Sequence, residues 1–553
     1  MEKIPSFNQY IEDSVIKFWD KDAFTDYKGA TLQYHDVARK IEKLHIMFEN
    51  SGVKRGDKIA LCGRNSSHWA VAFLATLTYG AIAVPVQNEF TPEQIHNIVN
   101  HSESKLLFVG DVVCTQVNPD MMPALEGIVY LPDFSIVISR SEQLTFAREH
   151  LNEIFGKRYP KFFRKEHIHY YKEQSPEELA MINYTSGTTG FSKGVMLPYR
   201  ALWGNIDYVL KCLTPNVKPG SNLVSILPMA HMYGLAVEFL FGFINGCHLY
   251  FLNRMPSPSL IAEAFAEVKP RLIVAVPLVV EKIIRRKVLA EVQTNRMKLL
   301  LNMPVINKKI KQHIRDRIME AFGGNAYEII VGGAPLNQGI EEFLNSVGVP
   351  ITIGYGTTET APLITFANYD NYKIASCGPV VDHMEAKVVS PDPANVPGEL
   401  IAKGMNVMLG YYKNEEATNA VLDKDGWFHT GDLATMAPSG HIYIKGRIKN
   451  MLLGANGQNV YPEEIEDKLN NMPLVGESII IQRDTKLIAL VHPEIEDKEA
   501  MDFDDDDVKG IMDENLKTLN NQLPPFCKIA AIEIQKEEFQ KTAKKSIKRY
   551  LYK

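Results

Sequence analysis

Short apolar runs of strand length alternate with longer helical patterns over the first two thirds of the chain. Residues 58–62 (KIALC) are followed by a helical stretch over 66–79 and then by an apolar run over 81–86, which spells a β-α-β unit. Residues 106–109, 223–227, 272–276 and 329–331 carry the same signature of a strand buried on both faces. Strands alternating with helices predict an α/β fold of parallel, doubly wound sheets with helices on both faces.

From about residue 378 the texture changes. Runs at 385–390, 398–402 and 441–444 are short strands separated by turns such as Pro391-Asp392-Pro393 and Pro438-Ser439-Gly440, which predicts a small β-barrel-like subdomain over about 378–447. Beyond it, Pro462-Glu463-Glu464 opens a helix, 478–482 and 487–491 read as a hairpin, and 508–523 as a further helix. The expected organisation is a large N-terminal domain over 1–447 and a small mobile α+β domain over 448–553, with a boundary at 446–450.

Two apolar stretches invite a membrane test. Residues 69–86 contain Gly80 and Pro85, and the helix within them is well short of the roughly 20 residues a span needs. Residues 235–252 carry Glu238, Asn245, Gly246 and His248, so both stretches read as buried helix-then-strand units. No signal peptide is visible at Met1-Glu-Lys-Ile-Pro-Ser.

Composition narrows the function classes. At roughly 150 residues per domain, 553 residues amount to three or four domain-equivalents, enough for a deep site. A net charge of −6 provides no basic field for nucleic acid, so a smaller partner is expected. Six cysteines stand singly without a CxxC pair, which points to reduced thiols and a cytoplasmic setting.

The most informative segment is Tyr184-Thr-Ser-Gly-Thr-Thr-Gly-Phe-Ser-Lys-Gly-Val195. Its glycines let backbone N–H groups turn towards a phosphate chain, its hydroxyls add donors, and Lys193 adds a point charge. It is not a Walker A loop, because Lys193 precedes Gly194 where Ser or Thr is required. Further along stand Gly332-Gly-Ala-Pro-Leu336, Tyr355-Gly-Thr-Thr-Glu359, Gly398-Glu-Leu400, Trp427-Phe-His-Thr-Gly-Asp432, Gly446-Arg-Ile-Lys449 and Asn459-Val-Tyr-Pro-Glu-Glu-Ile465. In content and order these seven segments resemble the motifs of the adenylate-forming superfamily, which includes acyl-CoA synthetases, luciferases and peptide-synthetase adenylation domains.

The resemblance implies that a carboxylate attacks the α-phosphate of ATP, giving acyl-AMP and pyrophosphate. Bringing two anions together calls for cationic and dipolar stabilisation and a divalent metal. Lys193 with Thr185, Ser186, Gly187, Thr188, Thr189 and Gly190 would hold the β- and γ-phosphates, and Glu359 with Thr185 would bind Mg²⁺. Tyr355 resembles the residue that stacks on adenine, within Tyr355, Gly356, Thr357 and Thr358, and the backbone of Gly333, Ala334 and Pro335 lines the other side. Asp432 would take the ribose hydroxyls and Arg447 would donate to ribose and phosphate. His231, in Leu227-Pro-Met-Ala-His-Met-Tyr-Gly234, resembles the segment at the junction of acyl group and phosphate, where it would position the substrate carboxylate. Family members then rotate the C-terminal domain about a hinge that falls here at Lys449, and a turn including Gly454, Asn456 and Gly457 would face the site while CoA attacks.

The chain departs from the family near its end. The usual lysine position is taken by Ser546 in Gln540-Lys-Thr-Ala-Lys-Lys-Ser-Ile-Lys-Arg549, leaving Lys545 as the nearest substitute and Lys544 as a second. Six basic residues from Lys541 onward read either as a solvated tail or as a contact with anionic lipid or CoA phosphates, which would make the protein membrane-peripheral. Small residues at Gly332, Gly333, Ala334 and Gly356 leave room for an elongated tail, and the texture around residues 456–465 resembles bacterial long-chain fatty acid–CoA ligases. The expected activity is therefore ATP- and Mg²⁺-dependent activation of a medium- or long-chain fatty acid with CoA as acceptor. An acyl-AMP ligase loading a carrier protein and a non-catalytic nucleotide- or acyl-binding module stay open, as does an oligomeric state.

Overall fold

The computed structural model describes residues 4–185, 193–284, 304–453, 459–483, 486–493, 505–541 and 547–552. Among them, two large sheets form the body. The first is seven-stranded, in the order Ile351–Ile353, Glu328–Val331, Leu272–Ala275, Asn222–Ser225, His248–Phe251, Asp22–Asp26, Thr31–Gln33. All neighbours in it are parallel except the last pair, a hairpin. The second is eight-stranded, in the order Gly410–Tyr411, Lys193–Pro198, Leu179–Thr185, Ile82–Val86, Lys58–Cys62, Ser104–Val109, Gly127–Tyr130, Ile136–Ser139. The parallel strands expected from the pattern make its interior, and antiparallel strands complete both edges. One of these antiparallel joints is the hairpin that carries the Gly/Ser/Thr-rich stretch, a link too short for a parallel crossover.

The two apolar stretches resolve into core. Helix Ser67–Tyr79 is buried nearly throughout, is capped by Ser66 accepting the Trp69 N–H at 3.2 Å, and ends at Gly80. Residues 234–240 form a π-helical segment (Gly234–Leu240) that runs into Phe241–Ile244 and strand His248–Phe251. No helix among the described residues is long and apolar enough to cross a membrane. The strand expected over 223–227 ends at Ser225, because the next two backbone N–H groups turn away to a buried carboxylate, Glu238.

The β-rich stretch is a four-stranded antiparallel sheet, Met384–Val389, Gly398–Gly404, Phe428–Met436, Ile442–Arg447, closed over a small core of Val388, Leu400, Ala434 and Ile442. After Arg447 comes a single 3-10 turn, Ile448–Asn450. Beyond it, hairpin Val475–Arg483/Lys486–Pro493 and parallel strand Ile529–Ile534 pack with helices Pro462–Asn470 and Asp505–Gln522 around their own core, which includes Val460, Ile465, Leu469 and Leu519. This second helix starts at Asp505, and the carboxylates of Asp506 and Asp507 in its first turn complement the N-terminal end of the dipole.

This C-terminal body touches the rest of the chain through polar contacts. Asn450 donates to Glu463 Oε1 at 2.7 Å, Lys445 lies 3.4 Å from Glu464, and the Gln338 N–H donates to Asp467 at 3.2 Å. The basic C-terminus is not simply a solvated tail. Arg549 forks onto Glu466 with one bond of 2.7 Å, and Lys541 pairs with Glu477 at 2.8 Å.

Candidate functional site

A cavity of about 2240 Å³ opens where the C-terminal ends of the first sheet meet the edge hairpin of the second, the four-stranded sheet and the C-terminal body. Every expected site residue that is described lines it. These are Thr185, Lys193, His231, Gly333, Ala334, Pro335, Tyr355, Gly356, Thr357, Thr358, Glu359, Asp432, Arg447 and Lys449. Ser186, Gly187, Thr188, Thr189, Gly190, Gly454, Asn456, Gly457 and Lys545 lie outside the described residues.

One end of the cavity is built on the four-stranded sheet. Asp432 and Arg447 are direct partners across antiparallel strands, and the Arg447 Nε lies 3.0 Å from Asp432 Oδ1. The Tyr355 hydroxyl donates to the other carboxylate oxygen at 2.6 Å. Behind them, the Asp432 N–H donates to the Thr430 hydroxyl at 3.0 Å, and that hydroxyl donates to the Leu400 carbonyl at 2.6 Å. The Asp432 side chain is only 6% exposed, so burial pushes its carboxyl above the usual range while Arg447 and Tyr355 pull it back. Each oxygen keeps a lone pair for a further donor, as a diol requires. Also on the cavity wall, Gly333 adopts a left-handed φ of 84°, and a side chain on Gly356 would place its Cβ 1.8 Å from the Pro362 carbonyl oxygen.

The other end is built on the hairpin. Thr185 and Lys193 face each other as its last and first paired residues. The Lys193 ammonium sits 4.8 Å from the centre of the Tyr411 ring, and the Tyr411 hydroxyl donates to Glu359 Oε1 at 2.9 Å. Glu359 lies in the 3-10 turn Thr358–Thr360, with its carbonyl accepting from the Met408 N–H at 2.8 Å. Lys193 makes no ion pair among the described residues. Lys449 is held below the usual lysine range by burial, then by the charges of Arg447 and Lys193.

Among the described residues no group of three or more His, Cys, Asp or Glu is arranged to hold a metal. One carboxylate, Glu359, with the Thr185 hydroxyl on the same cavity wall, is a donor set of the kind Mg²⁺ takes when phosphate oxygens and water complete its shell.

His231 sits in the turn after strand Asn222–Ser225, with Nδ1 accepting the Tyr233 N–H at 3.3 Å. Apolar side chains of Val209, Leu213, Ile226, Val237, Ile261 and Phe366 line the same cavity. Sequence reasoning missed Tyr411, which the Gly410–Tyr411 strand brings to Lys193 and Glu359 by pairing with Val195 and Met196. Glu399, in the Gly398-Glu-Leu400 segment, accepts from the Gly431 N–H at 3.2 Å and lies 2.9 Å from His429 Nδ1.

A family model described as AMP-binding enzyme matches residues 11–412, and one described as AMP-binding enzyme C-terminal domain matches 449–552. The chain is 30% identical over 507 residues to a long-chain-fatty-acid–CoA ligase of Escherichia coli O6:H1, covering 86% of this chain and 82% of the relative. It is 24% identical over 515 residues to the human long-chain-fatty-acid–CoA ligase ACSBG2, covering 87% and 75%. Among solved structures, ATP-bound MatB from Rhodopseudomonas palustris matches with a TM-score of 0.76 at 23% identity, over 99% of this chain and 98% of that one. The anthranilate CoA ligase AuaEII in complex with anthranoyl-AMP matches with a TM-score of 0.79 at 17% identity, over 99% and 97%. At these identities the solved structures speak for the fold.

Proposed function

The chain belongs to the AMP-binding enzyme family, and from that premise we propose that it joins a long-chain fatty acid to CoA through an acyl-AMP intermediate. In the first step a carboxylate oxygen bonds to the α-phosphorus of ATP and the bond to the leaving pyrophosphate breaks. In the second, the thiol sulfur bonds to the acyl carbon and AMP departs. The observation that carries this reading is that a single cavity is lined both by charged groups, Lys193, Glu359, Asp432 and Arg447, and by apolar side chains that include Val209, Leu213 and Ile261.

In this reading Lys193 offsets charge on the phosphates, and Asp432 and Arg447 hold the ribose. His231, on the cavity wall, positions the substrate carboxylate. Glu359 and Thr185 would hold Mg²⁺, which would neutralise phosphate charge. The turn Ile448–Asn450, with Lys449 at its centre, is the hinge about which the C-terminal body exchanges one step for the other. Among the described residues of the C-terminus, Lys541 and Arg549 are already paired, so there a contact with an anionic membrane surface would draw on Lys548 with the exposed Tyr550 and Leu551.

Pyrophosphate release with ATP and Mg²⁺ over carboxylates of roughly two to eighteen carbons, with and without CoA, tests the proposal. Turnover that CoA stimulates and that peaks with long chains is expected. Release indifferent to CoA would favour a carrier protein as acceptor, and no release with any acid would leave a binding module.

A further inference from the structure

Glu238 lies among apolar neighbours, Leu235-Ala-Val before it and Phe-Leu-Phe after it, and is only 2% exposed. Burying a carboxyl group is unfavourable unless something local satisfies it. Among the described residues Glu238 makes no ion pair. Its partners are three donors, the Ser225 hydroxyl at 3.1 Å and the backbone N–H groups of Ile226 and Leu227, each at 3.2 Å.

The same turn is gripped from two other directions. Asn65, which follows strand Lys58–Cys62 of the other sheet, donates to the Ser225 hydroxyl at 3.0 Å and to the Leu227 carbonyl at 2.6 Å, and accepts the Met229 N–H at 2.9 Å. Asn183, also 2% exposed and two residues before Thr185 on the hairpin strand, donates to the Ala230 carbonyl at 2.9 Å. Strand pairing stops at Ser225, so side chains take over the backbone groups that a sheet would otherwise satisfy. The opposite side of this turn, through Ile226, Leu227, Pro228 and His231, forms cavity wall. The π-helical winding of Gly234–Leu240 puts Val237 on that wall and Glu238 against the turn.

We infer that Glu238, Asn65 and Asn183 are positioning residues for the adenylation step, fixing the turn over residues 226–231 against both sheets at once. None of the three lines the cavity. They act through the turn, setting His231 at a fixed place relative to Thr185 and Lys193, where the acid must meet the phosphate. The inference rests on the adenylating activity proposed above. Small misplacements of a positioned group cost as much as about a hundredfold in rate.

The test uses full-length Glu238→Gln and Asn65→Ala. Glutamine keeps the shape but turns an N–H towards N–H donors. Expected for both is a fall of roughly tenfold to a hundredfold in kcat for acid-dependent pyrophosphate release, with the KM for ATP within about twofold. Amide hydrogen exchange at Ile226, Leu227 and Met229 should quicken at least about tenfold while strand Lys58–Cys62 keeps its protection. An unchanged kcat overturns the inference, as does a loss of protection spread evenly over the chain. If Glu238→Gln does not fold, Asn65→Ala decides, because Asn65 is only half-buried. If the wild type releases no pyrophosphate with any acid, the proposed function has failed. The exchange pattern then decides by itself whether these side chains hold the turn.

Discussion

The two ends of the cavity handle charge in opposite ways. At the Asp432 end, carboxylate and cation are already joined, with Arg447 on one oxygen and Tyr355 on the other. At the Lys193 end, carboxylate and cation are kept apart by an aromatic ring. Tyr411 gives its hydroxyl to Glu359 and its face to Lys193, so the lysine charge is not spent on the nearby carboxylate. The difference matches what each end is proposed to bind. A ribose is neutral and needs oriented acceptors, which an ion-paired carboxylate provides at fixed geometry. A triphosphate is a polyanion and needs charge not already cancelled.

Removing the uncancelled charge should have the largest effect. Lys193→Ala is expected to lower the adenylation rate by roughly a hundredfold to a thousandfold, as pyrophosphate release would report, and a loss below about tenfold would break the contrast. Next comes Lys449→Pro, which stiffens the turn just beyond Arg447. Adenylation should survive it while acyl-CoA formation falls by about a hundredfold, and two intact half-reactions would remove the hinge from Lys449.

Asp432→Asn keeps an acceptor but gives up the charge. The KM for ATP should rise by about ten- to thirtyfold with a smaller change in kcat, measured by initial rates over ATP concentration. Tyr411→Phe keeps the ring beneath Lys193 and removes only the hydroxyl on Glu359, so about a fivefold loss is expected. A much larger loss would mean that Glu359, more than Lys193, depends on the tyrosine.

The smallest effect on rate, essentially none, is expected at a carboxyl remote from both ends. Glu328 begins the strand whose far end leads to Gly332, is fully buried, and accepts the Thr352 hydroxyl at 3.0 Å. Burial lifts its pKa from 4.5 to about 7. The folded chain therefore holds this proton more tightly than the unfolded chain. The associated stability is present below about pH 4.5 and is lost as pH rises towards about 7. Glu328→Gln should be as stable as wild type near pH 4.5 and more stable at pH 8, by up to roughly 3 kcal/mol, in thermal unfolding followed against pH.

What could be read from the chain beforehand was whatever lies contiguous in it. The Tyr355–Glu359 stretch occupies neighbouring short elements, and the β-α-β unit over 58–86 appears with its capping Ser66 and terminal Gly80. What escaped depends on pairings between distant segments. Tyr411 reaches Lys193 only because a two-residue strand adds to the edge of a sheet begun far earlier, and such a strand has no periodicity of its own. Asp432 and Arg447 were each legible as charged residues, but their bridge comes from hairpin register. Glu238 looked like no more than an interruption of an apolar run, and its partners are mostly backbone groups, which carry no mark in a sequence.

The bridge between Asp432 and Arg447 has a thermodynamic corollary. Arg447 is the last residue of its strand and directly precedes the turn that leads into the C-terminal body. If, as proposed, Arg447 holds nucleotide and the C-terminal body rotates about the turn after it, one group serves both, and the two equilibria share one term. By reciprocity, the factor by which arm orientation changes nucleotide affinity equals the factor by which bound nucleotide biases arm orientation. Departure of pyrophosphate and then of AMP would each reset that bias, so the arm needs no separate signal to know which step has been completed.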